Sequence, residues 1–385
     1  MISSKYTIRE QNESIILNEI ITHKEISRAT LSKMSSLNKA SVSSIVKKLI
    51  KDHLVVETRI GEATNRGRKP ILLTFNGKES GLAIAIDVGF EYIDGLLTTL
   101  DGTEIRRFQL IDTYANKYNI QKLIHQVVEK LTLKLPPTFH GIVGMTIALQ
   151  GQILNNKIIS TTYSNLEEVD LETLLNAEYS YPVYIENEAN LSALGEYTFS
   201  SDLNNLVSIS LHSGIGVGIV KDGKLDVGNK GYAGRLGHTI LIPNGRVCSC
   251  GNKGCLEMYC STNIIYREIA EAKHLNKINS DIVLHLYNSN DSKVINMIHE
   301  YSYYLSIAVN NTIMLYAPDI VVFNSPLTKK IPDIITTIQS HLKNKYTNGI
   351  PVISSSIKWN PVLSGAISLS IQKFLNIEKL KLSSS

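Results

Sequence analysis

The sequence predicts an α/β protein in which a small, mainly helical head is followed by a larger body of two similar α/β lobes. Three observations carry this prediction. The chain has 385 residues, enough for two or three domains, with 43% hydrophobic and 19% charged residues. The first 78 residues carry 14 Lys and Arg against 7 Asp and Glu, whereas the other 307 carry 25 against 28. Finally, one pattern of strands and turns occurs twice in the body.

The charge and hydropathy patterns indicate a partner for the head and argue against a membrane-spanning or secreted protein. A basic front end on a faintly acidic body indicates that the head meets a polyanion. No apolar run approaches the ~20 residues needed to cross a bilayer. The N-terminus leads directly into a charged segment, without the apolar core of a signal peptide. We therefore expect a cytoplasmic protein with no membrane partner.

Three helices are predicted in the head. Residues 12–23 place four isoleucines at helical spacing. Ser27 is a suitable N-cap for a second helix that ends near Met34, and Asn38 is one for a third that ends near Lys51. In the third helix, apolar residues follow the i, i+3, i+4, i+7 pattern of a buried face. They are Val42, Ile45, Val46 and Leu49.

The opposite face of the third helix is small and polar at its start and cationic further along. Small side chains let a helix enter the major groove closely, and lysines pair with phosphates. This face favours a helix-turn-helix that binds DNA over a solvated bundle with ordinary surface lysines. The side chains expected near bases are Lys39, Ser41, Ser43 and Ser44, and those expected to hold phosphates are Lys47 and Lys48.

A wing is predicted after the third helix. Apolar stretches at 54–56 and 71–75 predict two strands, and a turn-rich loop at 61–70 joins them. Cations at the tip of such a loop reach the DNA backbone or the minor groove. They are Arg66, Arg68 and Lys69.

The body repeats one pattern. The first copy has predicted strands at 82–87 and 92–100, a turn at Gly89 and a hairpin signal at Asp101-Gly102. The second copy has a predicted strand at 206–211, a glycine-rich bend at 214–218 and a hairpin signal at Asp222-Gly223. Two such copies, each followed by helix-like segments, indicate a duplicated architecture with a ligand cleft between two lobes.

A polar run follows the strand predicted at 183–185 and opens a helix. Its sequence is Glu186-Asn187-Glu188-Ala189-Asn190. Polar side chains at such a position meet a ligand in many clefts. The alternative is that they only cap the helix, and the local sequence leaves both interpretations open.

The four cysteines lie within thirteen residues: Cys248, Cys250, Cys255 and Cys260. Disulfides usually join distant segments of secreted chains, so this cluster favours a metal site over reduced cysteines without a metal. Zinc prefers four nitrogen or sulfur ligands, and a closed set of four is structural rather than catalytic. The fourth ligand is either Cys260 or His238.

These motifs resemble the ROK family of repressors and sugar kinases, and within it the xylose repressors. The resemblance extends from Ile26-Ser27-Arg28-Ala29 to Gly365-Ala366, nearly the whole chain. The segments that carry it are 37–44, 185–190, and Cys248-Ser249-Cys250-Gly251-Asn252-Lys253-Gly254-Cys255 with Gly237-His238 upstream.

The resemblance implies an actin-like (ribonuclease-H-like) two-lobed body that forms a homodimer or homotetramer. It implies structural zinc held by His238, Cys248, Cys250 and Cys255, and a sugar held by Asn187, Glu188, Arg235, His238 and Glu257. Zinc would then brace the loop that presents Glu257 and His238 to the sugar. The expected domains are a winged helix-turn-helix at 1–78, a first lobe at 79–190 completed by about 360–385, and a second lobe at 191–359 with the zinc loop and oligomer contacts.

Four departures from the family's kinase motifs argue against phosphoryl transfer. In Asp87-Val88-Gly89-Phe90-Glu91, a carboxylate stands near the Thr position of the D-x-G-x-T phosphate loop, where it would repel phosphates. Glu188 stands where the kinases have a catalytic Asp, and its longer side chain misplaces a proton acceptor by about an ångström. The second phosphate motif survives only partly at 212–216, and Asn324-Ser325 replaces a glycine pair.

Arg235 departs from the family's sugar-binding Glu. Glu accepts hydrogen bonds from sugar hydroxyls, whereas Arg only donates them and carries a fixed positive charge. Either Arg235 pairs with Glu188 or Glu257, or it favours an anionic sugar.

We therefore predict a repressor of a sugar-utilisation operon that binds operator DNA and is released when a sugar, expected to be xylose, binds in the cleft. The alternatives are an ATP-dependent sugar kinase, a repressor that responds to an anionic sugar or sugar phosphate, and a regulator whose body docks another protein.

Overall fold

The computed structural model describes residues 5–60, 70–161, 165–200, 202–358 and 360–382. The chain divides into two compact units. The first comprises residues 1–147, 170–184 and 366–385, and the second comprises 148–169 and 185–365. In these described ranges, no helix combines the length and apolar character that a membrane span requires.

The head consists of three helices and a three-stranded antiparallel sheet, and it belongs to the first unit. The helices are α1 (Lys5–His23), α2 (Arg28–Met34) and α3 (Lys39–Lys51). The strands are β1 (Ile26–Ser27), β2 (Val55–Ile60) and β3 (Ile71–Phe75), with β3 in the middle. This is the predicted winged helix-turn-helix. The predicted wing tip, at 61–69, lies outside the described residues.

Local capping and apolar burial organise these helices as predicted. The Ser27 hydroxyl accepts a hydrogen bond from the backbone N–H of Thr30 (3.1 Å), and Asn38 Oδ1 accepts one from that of Ser41 (2.8 Å). The four predicted core residues of α3 are all buried. The predicted first helix was too short, because α1 begins at Lys5. Isoleucine spacing marks only the packed face, and residues 5–11 are mostly polar.

The first half of the body contains a five-stranded sheet. Its strands are β4 (Leu82–Val88), β5 (Tyr92–Thr99), β6 (Glu104–Ile111), β7 (Ile142–Leu149) and β10 (Val183–Asn187). A separate hairpin consists of β8 (Gly151–Leu154) and β9 (Lys157–Thr161). The helices are α4 (Gly77–Ser80), α5 (Ile120–Leu131) and α6 (Leu171–Glu178). The strand order is β10-β7-β4-β5-β6.

The second half contains another five-stranded sheet. Its strands are β11 (Leu206–Leu211), β12 (Ile215–Lys221), β13 (Lys224–Leu225), β14 (Ile320–Asn324) and β15 (Val352–Ser354). The helices are α7 (Glu188–Phe199), α8 (Glu257–Cys260), α9 (Thr262–Lys273), α10 (Ser280–Asn288), α11 (Ser292–Tyr316), α12 (Pro326–Lys330), α13 (Asp333–His341) and α14 (Pro361–Leu375). The order β13-β12-β11-β14-β15 repeats that of the first sheet when each is counted from its own first strand. The predicted duplication is thus present.

The glycine-rich bend predicted at 214–218 is instead mostly strand, since β12 begins at Ile215. Its glycines serve packing. A Cβ on Gly216 would lie 2.8 Å from the Cβ of Ala189, and one on Gly218 would lie 2.1 Å from the Ala189 carbonyl oxygen. Helix α7 can therefore lie against β12 only because these two positions lack side chains.

Candidate functional site

Helix α3 exposes the face that was predicted to contact DNA. Its exposed side chains include Lys39, Ser43, Ser44, Lys47 and Lys48, while Ser41 is half-buried. The Lys48 ammonium pairs with the Glu13 carboxylate of α1, so its charge is partly compensated within the head. Lys47 and Lys48 were predicted to play the same role, but the structure shows an ion pair at Lys48 that the sequence did not indicate.

Two arginines of the head are engaged by carboxylates. Arg28 Nη2 lies 2.7 Å from Glu57 Oε1, and Arg59 Nη2 lies 2.6 Å from Glu25 Oε2. The hydrogen bond from Arg59 lowers the pKa of Glu25. Such exposed pairs contribute little stability. The predicted wing cations are outside the described residues: Arg66, Arg68 and Lys69.

Asn187 caps α7 and also contacts a neighbouring turn. Its Oδ1 accepts hydrogen bonds from the backbone N–H groups of Ala189 (2.9 Å) and Asn190 (3.2 Å). Its Nδ2 donates to the carbonyl oxygen of Gly151 (2.7 Å). One N–H of the amide is left over by these contacts, so the capping role leaves one donor with which a ligand could interact.

Arg235 contacts the same backbone carbonyl. Its Nη2 donates to the Gly151 oxygen (3.2 Å), and burial lowers the pKa of the guanidinium. This hydrogen bond was not among the expected contacts of Arg235, and the expected pairing with Glu188 or Glu257 stays a prediction. Sequence reasoning missed Gly151, because a backbone carbonyl has no signature in the sequence. A Cβ there would lie 2.2 Å from the Ser160 carbonyl oxygen, so the start of β8 requires glycine.

The two carboxylates of the implied sugar site flank the beginning of β12. Glu188 Oε1 lies 3.5 Å from where a Cβ of Gly216 would stand, and Glu257 Oε2 lies 3.7 Å from the corresponding point of Gly214. The fold of the second unit thus places two carboxylates that are far apart in the sequence beside one short segment, 214–216.

His238, Cys248, Cys250 and Cys255 form a compact cluster whose potential ligand atoms all lie within 4.8 Å of one another. Cys250 Sγ is 3.6 Å from Cys255 Sγ, and Cys248 Sγ is 3.7 Å from His238 Nδ1. Tetrahedral zinc with ~2.3 Å Zn–S bonds places sulfurs about 3.8 Å apart. Three thiols and one imidazole at these spacings fit a closed zinc site.

The loop that carries this cluster has little regular structure. Two isolated bridges, Ile240 to Cys255 and Val247 to Lys253, tie it together, and Gly251 turns it with φ of 93°. Burial raises the pKa of Cys248 to about 12, while a backbone N–H at Asn252 lowers that of Cys250. A metal that binds thiolates would therefore release protons from this loop.

Cys260 lies apart from the cluster. It is fully buried in an apolar core with Leu256 and Tyr301, and burial raises the pKa of its thiol. The geometry therefore groups His238, rather than Cys260, with the other three cysteines.

Glu257 joins the cluster to the carboxylate pair. Its Oε1 lies 3.3 Å from His238 Nδ1 and 3.1 Å from Cys248 Sγ, whereas its Oε2 points toward the Gly214 side. A metal that binds Cys248 as a thiolate would remove this donor from Glu257, so it would position the carboxylate through the chain, because Glu257 lies two residues after Cys255.

The turn that corresponds to a kinase phosphate loop is closed. The Gly89 N–H donates to the Tyr92 carbonyl (2.9 Å), and a Cβ on Gly89 would lie 2.2 Å from the Tyr92 ring. The Tyr92 hydroxyl donates to the buried Asp87 carboxylate (3.0 Å), and the Tyr114 hydroxyl donates to Glu91 (2.9 Å). Phosphate loops need free backbone N–H groups, and here the glycine N–H is already bonded.

Sequence comparison gives two further findings. A family model described as the ROK family matches residues 83–373, directly after the head. A protein named "Xylose repressor" from Bacillus spizizenii is 33% identical over 387 aligned residues, which cover 98% of this chain and 100% of that protein.

Two solved structures share the fold. A ROK family transcriptional regulator, described as a homologue of the E. coli MLC protein, superposes with a TM-score of 0.76 at 24% identity and covers 96% of this chain and 98% of its own. A ROK family glucokinase from Streptomyces griseus, crystallised with glucose and AMPPNP, has a TM-score of 0.68 at 20% identity and covers 76% of this chain and 100% of its own.

Proposed function

The chain belongs to the ROK family, and from this premise we propose that it is a sugar-responsive transcriptional repressor that binds operator DNA through its head. The observation that carries the proposal is the alignment with a xylose repressor over 98% of this chain. That alignment includes the head, whose helix α3 exposes a small, polar and cationic face. Such a face suits the major groove.

Residues 1–78 act in this proposal as the DNA-binding domain. Side chains near the bases are Lys39, Ser41, Ser43 and Ser44, and those that hold phosphates are Lys47, Lys48, Arg66, Arg68 and Lys69. Two heads of a homodimer, or of a dimer within a homotetramer, would read the two halves of a palindromic operator. The exposure of α3 supports this assignment.

The inducer binds, in this proposal, to the residue set Asn187, Glu188, Arg235, His238 and Glu257. The two carboxylates accept hydrogen bonds, while Arg235 and the remaining N–H of Asn187 donate them, and sugar hydroxyls can do both. Xylose is the proposed inducer because the aligned relative is named a xylose repressor, while Arg235 donates one of its five N–H groups to the Gly151 carbonyl. An anionic sugar is the competing inducer.

Zinc occupies the four-residue cluster in this proposal. It would fix the loop that carries Cys255, and with it Glu257, which lies two residues further along the chain. The donor set and the spacing of the ligand atoms support a structural rather than a catalytic ion.

We assign no kinase activity to the chain. The bonded Gly89 N–H, the Tyr92 ring against Gly89 and the carboxylate of Glu91 support this view, as does Glu188 at the position of the catalytic Asp. Sugar binding here serves to shift a conformational equilibrium.

Fluorescence anisotropy with the full chain and a labelled palindrome from its own promoter region tests the proposal. We expect tight binding that xylose, but not glucose-6-phosphate, releases. Release by glucose-6-phosphate alone would make the inducer anionic. Failure to bind any such duplex more tightly than scrambled DNA at the same salt concentration would refute the repressor function.

A further inference from the structure

The turn that ends α3 is fastened to body residues of the first compact unit, to which the head also belongs. The Asp52 carbonyl accepts a hydrogen bond from His140 Nε2 (2.9 Å). The His53 carbonyl accepts hydrogen bonds from the Ser80 hydroxyl (2.6 Å) and from Asn76 Nδ2 (3.2 Å). A carbonyl can only accept, so His140 must carry its proton on Nε2.

Ring contacts reinforce these hydrogen bonds. His53 stacks on Phe139 with centroids 4.0 Å apart and ring planes 23° apart, and His140 meets Phe374 edge-on at 5.0 Å. The backbone N–H of His140 also donates to the Ser80 carbonyl (2.8 Å). We use the name joint for His53, Phe139, His140 and Phe374 together with the Asp52 carbonyl.

The joint contacts the residues that end α3. His53 has φ of 57°, and the backbone N–H of Leu54 donates to the Leu49 carbonyl (2.9 Å), which is the Schellman pattern that ends many helices. The hydrogen bonds to the Asp52 and His53 carbonyls therefore act at the C-terminal cap of α3.

Two continuous elements lead along the chain from the joint to the proposed sugar site. Strand β7 begins two residues after His140 and ends two residues before Gly151. The Gly151 carbonyl oxygen accepts hydrogen bonds from Asn187 and from Arg235. Helix α14 carries Phe374 near its end and Gly365 near its start. A Cβ on Gly365 would lie 1.7 Å from the Leu191 carbonyl oxygen of α7, the helix that Asn187 caps.

From these contacts we infer that the joint transmits sugar occupancy to α3, with His140 and Phe139 as its positioning residues. The inference rests on the proposed function. In this inference, a shift at Gly151 or at α7 moves β7 or α14. That movement changes the contacts of the joint with Asp52 and His53, and it changes the orientation of the proposed DNA-reading face of α3. No residue of the joint is among those proposed to contact DNA, the sugar or zinc.

The test measures the operator Kd with and without saturating xylose, and the xylose Kd by calorimetry, for the full chain and four variants. H140A and F139A should bind xylose within about twofold of wild type, but the ratio of the two operator Kd values should fall at least about fivefold. H140Q, whose amide can still donate to Asp52, should recover part of this ratio. H299A removes an exposed histidine of α11 and should behave as wild type.

Each outcome separates the two hypotheses. If H140A and F139A keep the wild-type ratio while melting at a lower temperature, the joint is merely structural and the inference is wrong. The sugar that releases the wild-type chain, xylose or glucose-6-phosphate, is the one used for the variants; if neither releases it, the proposed sugar response fails, and the inference fails with it. If H140A does not fold, H53N replaces it, because Asn tolerates the left-handed backbone and keeps the carbonyl while removing the stacked ring.

Discussion

Helix α3 and the cysteine loop are held in their conformations by opposite means. Helix α3 buries Val42, Ile45, Val46 and Leu49, and Asn38 caps it, so its outer face can vary without loss of structure. The loop at 239–256 follows a short 3₁₀ turn (Leu236–His238) and has two isolated bridges and few buried apolar side chains. The comparison teaches that the proposed DNA-reading face rests on a hydrophobic core, whereas the loop depends on the four potential ligand residues that converge within it.

The largest effect should come from breaking the loop. Cys255→Ser removes a fully buried thiol of the cluster, so zinc content should drop from about one ion per chain to near zero, and xylose affinity should fall by about 100-fold or more. Elemental analysis and calorimetry measure the two quantities. The matched control is Cys260→Ser, which should keep its zinc. Full zinc content in Cys255→Ser would show that the ligand set is wrong.

The next effect should come from the core of the head. Leu49 is 3% exposed, so Leu49→Ala should destabilise the head by about 2–5 kcal/mol. Operator binding should weaken while xylose binding stays unchanged. Ile15→Ala, at a position 46% exposed, serves as the control for thermal unfolding. Equal destabilisation by both substitutions would contradict the buried face of α3.

A smaller effect should distinguish the two lysines of α3. Lys47→Ala should weaken operator binding up to about tenfold at 0.1 M salt and reduce the slope of log Kd against log salt concentration by about one. Lys48→Ala should do less, because in the free protein Lys48 already pairs with Glu13. Anisotropy over a salt series measures both slopes. Identical slopes for the two variants would mean that the pair breaks at no cost on DNA.

The smallest effect should come from the cap of α3. Asn38→Ala removes the acceptor for the Ser41 N–H and should cost about 1 kcal/mol, measured by chemical unfolding of the full chain. Asn38→Asp keeps an acceptor and should cost much less. Equal losses in both variants would indicate that the amide N–H groups of Asn38, rather than its oxygen, stabilise the helix.

Local features of the sequence predicted much of this structure. Ser27 and Asn38 were identified as caps because a cap acts within three residues of itself. The duplicated lobes were predicted because a strand, a glycine turn and an Asp-Gly hairpin recur in the same order. The winged helix-turn-helix, the actin-like body and the sugar-responsive repressor followed from the motifs together with the family resemblance.

Contacts between distant residues were not predictable from one sequence. The pair of Lys48 with Glu13 spans 35 positions, and the bond from His140 to Asp52 spans 88. Neither leaves a local pattern. The extra turns at the start of α1 were missed because helical periodicity is visible only where apolar residues face a core. The Gly151 carbonyl oxygen accepts hydrogen bonds from Asn187 and Arg235, and a backbone acceptor leaves no pattern in the sequence.

The contacts of Glu257 have a consequence for physiology. One oxygen of this carboxylate touches His238 and Cys248, and the other faces the glycines beside the proposed inducer. The response of the repressor to its sugar would then depend on the zinc supply. In a zinc-starved culture given the inducing sugar, the operon is expected to stay repressed. The repressor would still bind its operator, but it would no longer bind the sugar.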